Sequence, residues 1–177
     1  MKQRRIQLAA AVAIVSIVSV VATTAVAGGG NNAKAKLIGF EEVPAVSTVA
    51  SGKFEAKINR SEQRVDYRLS YQDLEAPVLF AHIHLGQRTA NGGVSVFLCG
   101  GGAAPPCPQS GTVEDSFGPA DVIGPTGQGI APGEFDELIR AIRAGVTYAN
   151  VHSQKFPGGE IRGQIDAGGG GGDDDDD

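Results

Sequence analysis

Two neighbouring stretches alternate apolar and polar side chains with a period of two, and that pattern limits the fold more than any other. "SGKFEAKIN" sets Phe54, Ala56 and Ile58 against Lys53, Glu55 and Lys57; "RVDYRLSYQ" sets Val65, Tyr67, Leu69 and Tyr71 against Asp66, Arg68, Ser70 and Gln72. Successive side chains of a strand point to opposite faces, so each stretch reads as a half-buried antiparallel strand. The polar link "NRSEQ" is of turn length and makes the pair a hairpin. A second hairpin joins "VLFAHIHLG" to "VSVFLC" through a loop whose Asn91-Gly92 favours positive φ. A third joins "YANVHS" to "GEIRGQID" around Gly158-Gly159, and a short strand is expected near "GTVEDS". One helix interrupts the series: Phe135, Leu138, Ile139 and Ile142 fall at i, i+3, i+4 and i+7, with acidic residues in the first turn and Arg140 and Arg143 near the end. Seven or eight short strands with one short helix predict an all-β fold, an antiparallel β-sandwich of Greek-key type.

The termini stand apart from this pattern. Lys2, Arg4 and Arg5, an apolar run from Ile6 to Ala22 and the small-x-small triplet Ala25-Val26-Ala27 follow the order of a secretory signal peptide, assigned to residues 1–27. Residues 28–34 read as a linker, 35–167 as the domain, and 168–177 as a Gly/Asp tail expected to be extended by self-repulsion. Export follows, to the periplasm, the cell surface or the medium, with membrane attachment only through an uncleaved signal segment. The roughly 135 residues between the ends suit one hydrophobic core.

The net charge is −5; setting aside Lys2, Arg4 and Arg5 leaves −8, of which the five terminal aspartates supply −5, so the domain itself carries −3. It has no basic patch, which argues against a nucleic-acid partner. Cys99 and Cys107 bracket a Gly/Pro-rich loop, and in an exported chain such a pair reads as a disulfide. Metal ligation by the two thiols is the rival reading, disfavoured by their wide spacing and the lack of a histidine nearby in sequence.

All three histidines fall into the strand pattern. In "FAHIHLG" Ile83 and Leu85 share one face and His82 and His84 the other; in "TYANVHS" Tyr148, Asn150 and His152 oppose Ala149 and Val151; in "GEIRGQI" Glu160, Arg162 and Gln164 oppose Ile161 and Ile165. If these strands are neighbours, one polar face gathers His82, His84, Asn150, His152, Glu160 and Arg162. The plainest account of that face is structural: cross-strand polar contacts, with Glu160 and Arg162 pairing with each other or across strands, each contributing ~0.2–1 kcal/mol. The sharper account is a metal site, since three histidines with an open position suffice for one copper or zinc ion. No Ser or Cys nucleophile motif accompanies them, which sets hydrolytic catalysis aside.

The chain resembles the CHRD domain family, named after the animal protein chordin and widespread among bacterial exported proteins. The resemblance is carried in order by "GFEEVPAVSTVASGKF", "AHIHLGQRTANGGVSVFL" and "AGVTYANVHSQKFPGGEIRGQI". It implies an extracellular β-sandwich-like domain and, for the bacterial members, no established reaction. The H-x-H pair is also similar to one in copper/zinc superoxide dismutases, sandwiches of the same broad architecture, but that family's two-metal site needs about six histidines and an aspartate. The leading expectation is a secreted or surface non-enzymatic module that binds an extracellular protein, glycan or matrix component. The alternative is a copper- or zinc-binding protein, redox-active if it holds copper, that uses His82, His84 and His152.

Overall fold

A computed structural model describes residues 30–168; the expected signal peptide, and the tail beyond Gly168, lie outside them. The strands are β1 (Asn32–Ile38), β2 (Ser51–Ile58), β3 (Val65–Gln72), β4 (Val78–Leu85), β5 (Gly93–Cys99), β6 (Gly111–Phe117), β7 (Thr147–Ser153) and β8 (Ile161–Gln164), with one helix, α1 (Phe135–Arg143), between β6 and β7. The three hairpins, the strand at "GTVEDS" and the helix all form where the pattern places them.

The sandwich does not form. The eight strands make one antiparallel sheet in the order β5-β4-β7-β8-β1-β2-β3-β6, coiled until its edges nearly meet as a barrel. The element that decides this is β1, which starts within the segment read as linker. Its inward residues are Ala33, Ala35 and Leu37, two of them too small to stand out as an apolar face. β1 pairs with β2 along its whole length and meets β8 at Ile38↔Arg162, with a further bridge at Lys34↔Asp166. It therefore welds what would be two sheets into one. Gly163 permits the junction, because a Cβ there would run into the Lys36 carbonyl.

The two edges are fastened across the seam without a ladder. Tyr67 on β3 donates its hydroxyl to the Leu98 carbonyl of β5 at 2.6 Å. The connection after β6 covers the free edge of β5, with Ile123 N–H on the Ser95 carbonyl at 2.9 Å and Gly93 N–H on Gln128 Oε1 at 2.6 Å. Such cover prevents an exposed edge from recruiting other chains. The expected disulfide, Cys99–Cys107, with Cα atoms 5.1 Å apart, ties the end of β5 to the loop leading into β6. Helix α1 lays Phe135, Leu138, Ile139 and Ile142 on the core, and Phe135 meets Phe117 of β6 edge-on.

The sheet is buried unevenly, and this places the site. β3 alternates buried and exposed residues, as a one-sided strand must, but all seven residues of β7 are buried. Three connections fold over the outer face of β4, β7 and β8: residues 39–50, 86–92 and 154–160. The first two are stitched together by an Arg88–Glu41 ion pair at 2.6 Å and by Asn91 Nδ2 on the Val43 carbonyl at 2.8 Å, and the first is tied to the third by Thr48 Oγ1 on Glu160 Oε1 at 2.9 Å. The polar face read from the sequence as a surface is thus a second, roofed interior.

Tyr67→Phe removes the hydroxyl that spans the seam and leaves the Leu98 carbonyl without that partner. We expect a loss of about 1–2 kcal/mol, seen as a lower urea midpoint with an unchanged slope.

Candidate functional site

All six expected residues share the roofed face. Register sets His82 of β4 beside Asn150 of β7, and Asn150 beside Arg162 of β8; His84 stands beside Tyr148 in the next row. The inward neighbours Ile83, Ala149, Val151 and Ile161 are fully buried in the barrel core, which holds the opposite side chains to the outside.

The histidines converge, with exposures of 5 % for His82, 7 % for His84 and 5 % for His152, and each offers a ring nitrogen within 4.8 Å of the other two. Their proton positions follow from their partners. The Pro157 carbonyl lies 3.0 Å from His152 Nδ1, and the Gly92 carbonyl 3.0 Å from His84 Nδ1. A carbonyl has only lone pairs, so both Nδ1 atoms carry the proton and both Nε2 atoms are lone pairs. His82 Nδ1, 3.2 Å from His152 Nε2, then donates to it and leaves its own Nε2 as a lone pair. His82 Nε2 and His84 Nε2 are buried without a hydrogen-bond partner among the described residues.

The electrostatics keep these rings neutral. Burial pushes His82 down to about 3, helped by the neighbouring His152 and His84. Burial likewise takes His84 down to about 4 against the opposing Gly92 hydrogen bond, and lowers His152 against that of Pro157. Aromatic rings enclose them. Phe80 lies 4.8 Å from both His82 and His152, Phe97 lies 4.4 Å from His82, and Tyr148 stacks on His84 at 4.8 Å with the rings parallel.

The remaining polar residues build the roof. Arg162 places its guanidinium 3.4 Å from the Tyr148 ring centroid and donates to the carbonyls of Gln87, Arg88 and Ala90 and to Asn91 Oδ1. Asn150 donates to Glu42 Oε1 at 2.5 Å and to the Ile161 carbonyl at 3.0 Å. Of the two courses open to Glu160, pairing with Arg162 or reaching other segments, it takes the second. Its Oε1 accepts from Thr48 Oγ1 and from the Glu75 N–H, both at 2.9 Å, because its side chain runs toward the 39–50 and β3–β4 connections. Gly159, at φ +131°, lets the chain pass close to Asn150 and Glu42, where a Cβ would fall 2.6 Å from Glu42 Oε1.

Glu42, Phe80 and Phe97 were not among the expected site residues. Glu42 lies in a stretch without periodicity, and the two phenylalanines read as ordinary strand positions. Burial raises Glu42 to about 7 against the lowering pull of Asn150 and Arg162.

These shifts make stability pH-dependent with a definite sign. The unfolded histidines take up protons near pH 6.5 and the folded ones only at lower pH, so their contribution is intact above 6.5 and is lost as the pH falls. Glu42 acts oppositely, favouring the fold below about 4.5 and losing that contribution as the pH rises through 7. Three histidines outweigh one carboxyl. We expect stability to fall by about 1–3 kcal/mol per unit between pH 6 and 4.5, measured as the urea midpoint across that range.

Among the described residues no helix is long and apolar enough to cross a membrane. No curated protein and no solved structure matches the chain. A family model does, that of the CHRD domain, over residues 33–165, which covers the barrel from β1 through β8 and includes all three histidines and their roof. The chain belongs to the CHRD domain family.

Proposed function

We propose that this protein is an exported, non-enzymatic binding module that holds one copper or zinc ion between His82, His84 and His152. The observation that carries the reading is the set of inward lone pairs: backbone carbonyls occupy Nδ1 of His84 and His152, so each presents Nε2 to the cluster. Metal-bound histidines characteristically have the second nitrogen held in this way, which sets the tautomer and the ring orientation. The depressed proton affinity serves the same end, because a metal ligand must be neutral imidazole.

A purely structural role accounts for less of the geometry. Histidines that only brace the roof would have their nitrogens satisfied, whereas Nε2 of His82 and of His84 are buried without partners among the described residues. Leaving such groups unmet costs about 1–3 kcal/mol each, and a cation is the partner suited to several lone pairs at once. The 3.2 Å between His82 Nδ1 and His152 Nε2 is close to the separation of two ligands on one tetrahedral ion with bonds of ~2.0–2.1 Å. His82 supplies Nδ1 once its proton moves to Nε2, or Nε2 as it stands.

A second reading, in which the module also binds an extracellular protein, glycan or matrix component, draws on Phe40 and Val49. They are 72 % and 80 % exposed at the two ends of the connection that roofs the histidines. Exposed apolar groups of this size are suited to a contact surface. Phe40→Ser with Val49→Ser is expected to weaken retention of the protein on its native envelope or matrix without changing the urea midpoint; unchanged retention contradicts this reading.

For the metal, we expect one ion per chain at neutral pH by elemental analysis after incubation with copper or zinc and desalting, and none in the His82→Ala, His84→Ala double variant. An ion present at ~100 times its dissociation constant should also stabilise the parent fold by about 2.7 kcal/mol. No stoichiometric ion and no stabilisation in the parent chain overturns the metal reading.

A further inference from the structure

We infer that the three-histidine site is selective for monovalent copper over zinc and other divalent ions, an inference that rests on the metal-site reading above. It follows from the charges and the walls around the imidazoles, not from the imidazoles themselves, which suit either metal.

All three ligands are neutral, and among the described residues no carboxylate forms a hydrogen bond to any of them. Hydrogen bonds direct the two acidic groups of the roofed face elsewhere: Glu42 Oε1 on Asn150, and Glu160 Oε1 on Thr48 and the Glu75 N–H, with Glu160 Oε2 buried without a partner among the described residues. The charge that reaches His84 from its surroundings is the Arg162 guanidinium, held beside the stacked Tyr148 ring. A cation entering the cluster therefore meets no thiolate or carboxylate ligand to offset its charge in this buried pocket. The self-energy of an ion in a low-dielectric medium grows with the square of its charge, so a divalent ion incurs about four times the penalty of a monovalent one. In sites that favour Zn²⁺, thiolates or carboxylates commonly offset that charge.

The coordination number points the same way. Zn²⁺ takes four ligands, the fourth often a water. Here the cluster is bounded by Phe80 and Phe97, whose rings can neither ligate nor hold a water by hydrogen bonds. Monovalent copper, with a filled d shell, is satisfied by three nitrogens and needs neither an anion nor a water. Phe80 and Phe97 are only partly buried, so they form the wall between the cluster and solvent.

The test uses the full chain with Cu⁺ maintained by ascorbate, which leaves the Cys99–Cys107 disulfide intact, in competition with a chromophoric Cu⁺ chelator. Zn²⁺ affinity is measured separately against a zinc indicator. We expect one Cu⁺ per chain, bound at least ~10³-fold more tightly than Zn²⁺, and an X-ray absorption spectrum with three nitrogen scatterers. Zn²⁺ bound as tightly as Cu⁺ overturns the selectivity and leaves the metal reading standing; failure of both ions to bind overturns both. A second variant guards against misfolding of histidine mutants. Phe80→Asp puts a carboxylate on the wall in place of a ring whose centroid lies 4.8 Å from those of His82 and His152, and should strengthen Zn²⁺ binding by ~10-fold or more while Cu⁺ changes little. An unchanged ratio in that folded variant counts against the charge argument.

Discussion

A guanidinium that is 1 % exposed stays ionised only if acceptors and π-faces replace the water it has lost, and Arg162 shows what that demand does to a fold. Its terminal nitrogens draw in three carbonyls and one amide oxygen from the β4–β5 connection, while Tyr148 lies against its plane. With the Gln164 amide on the Gly86 carbonyl, these bonds hold that connection against the sheet. Once pinned, it delivers the Gly92 carbonyl to His84 Nδ1 and the Gly92 N–H to the Tyr148 hydroxyl. The tautomer of a candidate ligand is thus set by a residue two strands away that never touches it.

The same roof explains the opposed ionisation behaviour of its members. Burial disfavours charge on the three histidines and on Glu42, so the histidines move down and Glu42 moves up. Arg162 remains the fixed charge around which the others adjust. A pocket built this way holds neutral donors ready for a cation, yet offers that cation little electrostatic relief. The tension between these two properties separates a structural histidine cluster from a ligand set, and one ion from another.

Much of the architecture was legible along the chain because it depends on period. The alternation in "RVDYRLSYQ" reappears as β3, and the opposed faces of "FAHIHLG", "TYANVHS" and "GEIRGQI" reappear as a polar row over an apolar one. The same rule placed Glu160 on the correct side but did not choose its contact, since alternation says which face a side chain leaves from and nothing about how far it travels. The barrel was missed for a related reason. β1 presents alanines to the core, and an alanine-lysine alternation carries little hydrophobic contrast, yet this strand joins the two halves of the sheet.

What the sequence determined by itself was local: which segments are strands, which residues share a face, the cysteine pairing, and the family to which these motifs belong. Those features follow from backbone geometry repeated every two residues and from close spacing. The tertiary structure decided that the polar face is an interior. Three aperiodic connections, from residues 39–50, 86–92 and 154–160, close over it: Glu42 and Thr48 reach Asn150 and Glu160, remote in sequence, while the Gly92 and Pro157 carbonyls fold back onto histidines of the strands their own loops leave. Burial and the convergence of the three histidines depend on strand pairing and roofing contacts between remote segments, and the proton positions on how two aperiodic loops turn back, none of which periodicity along the chain encodes.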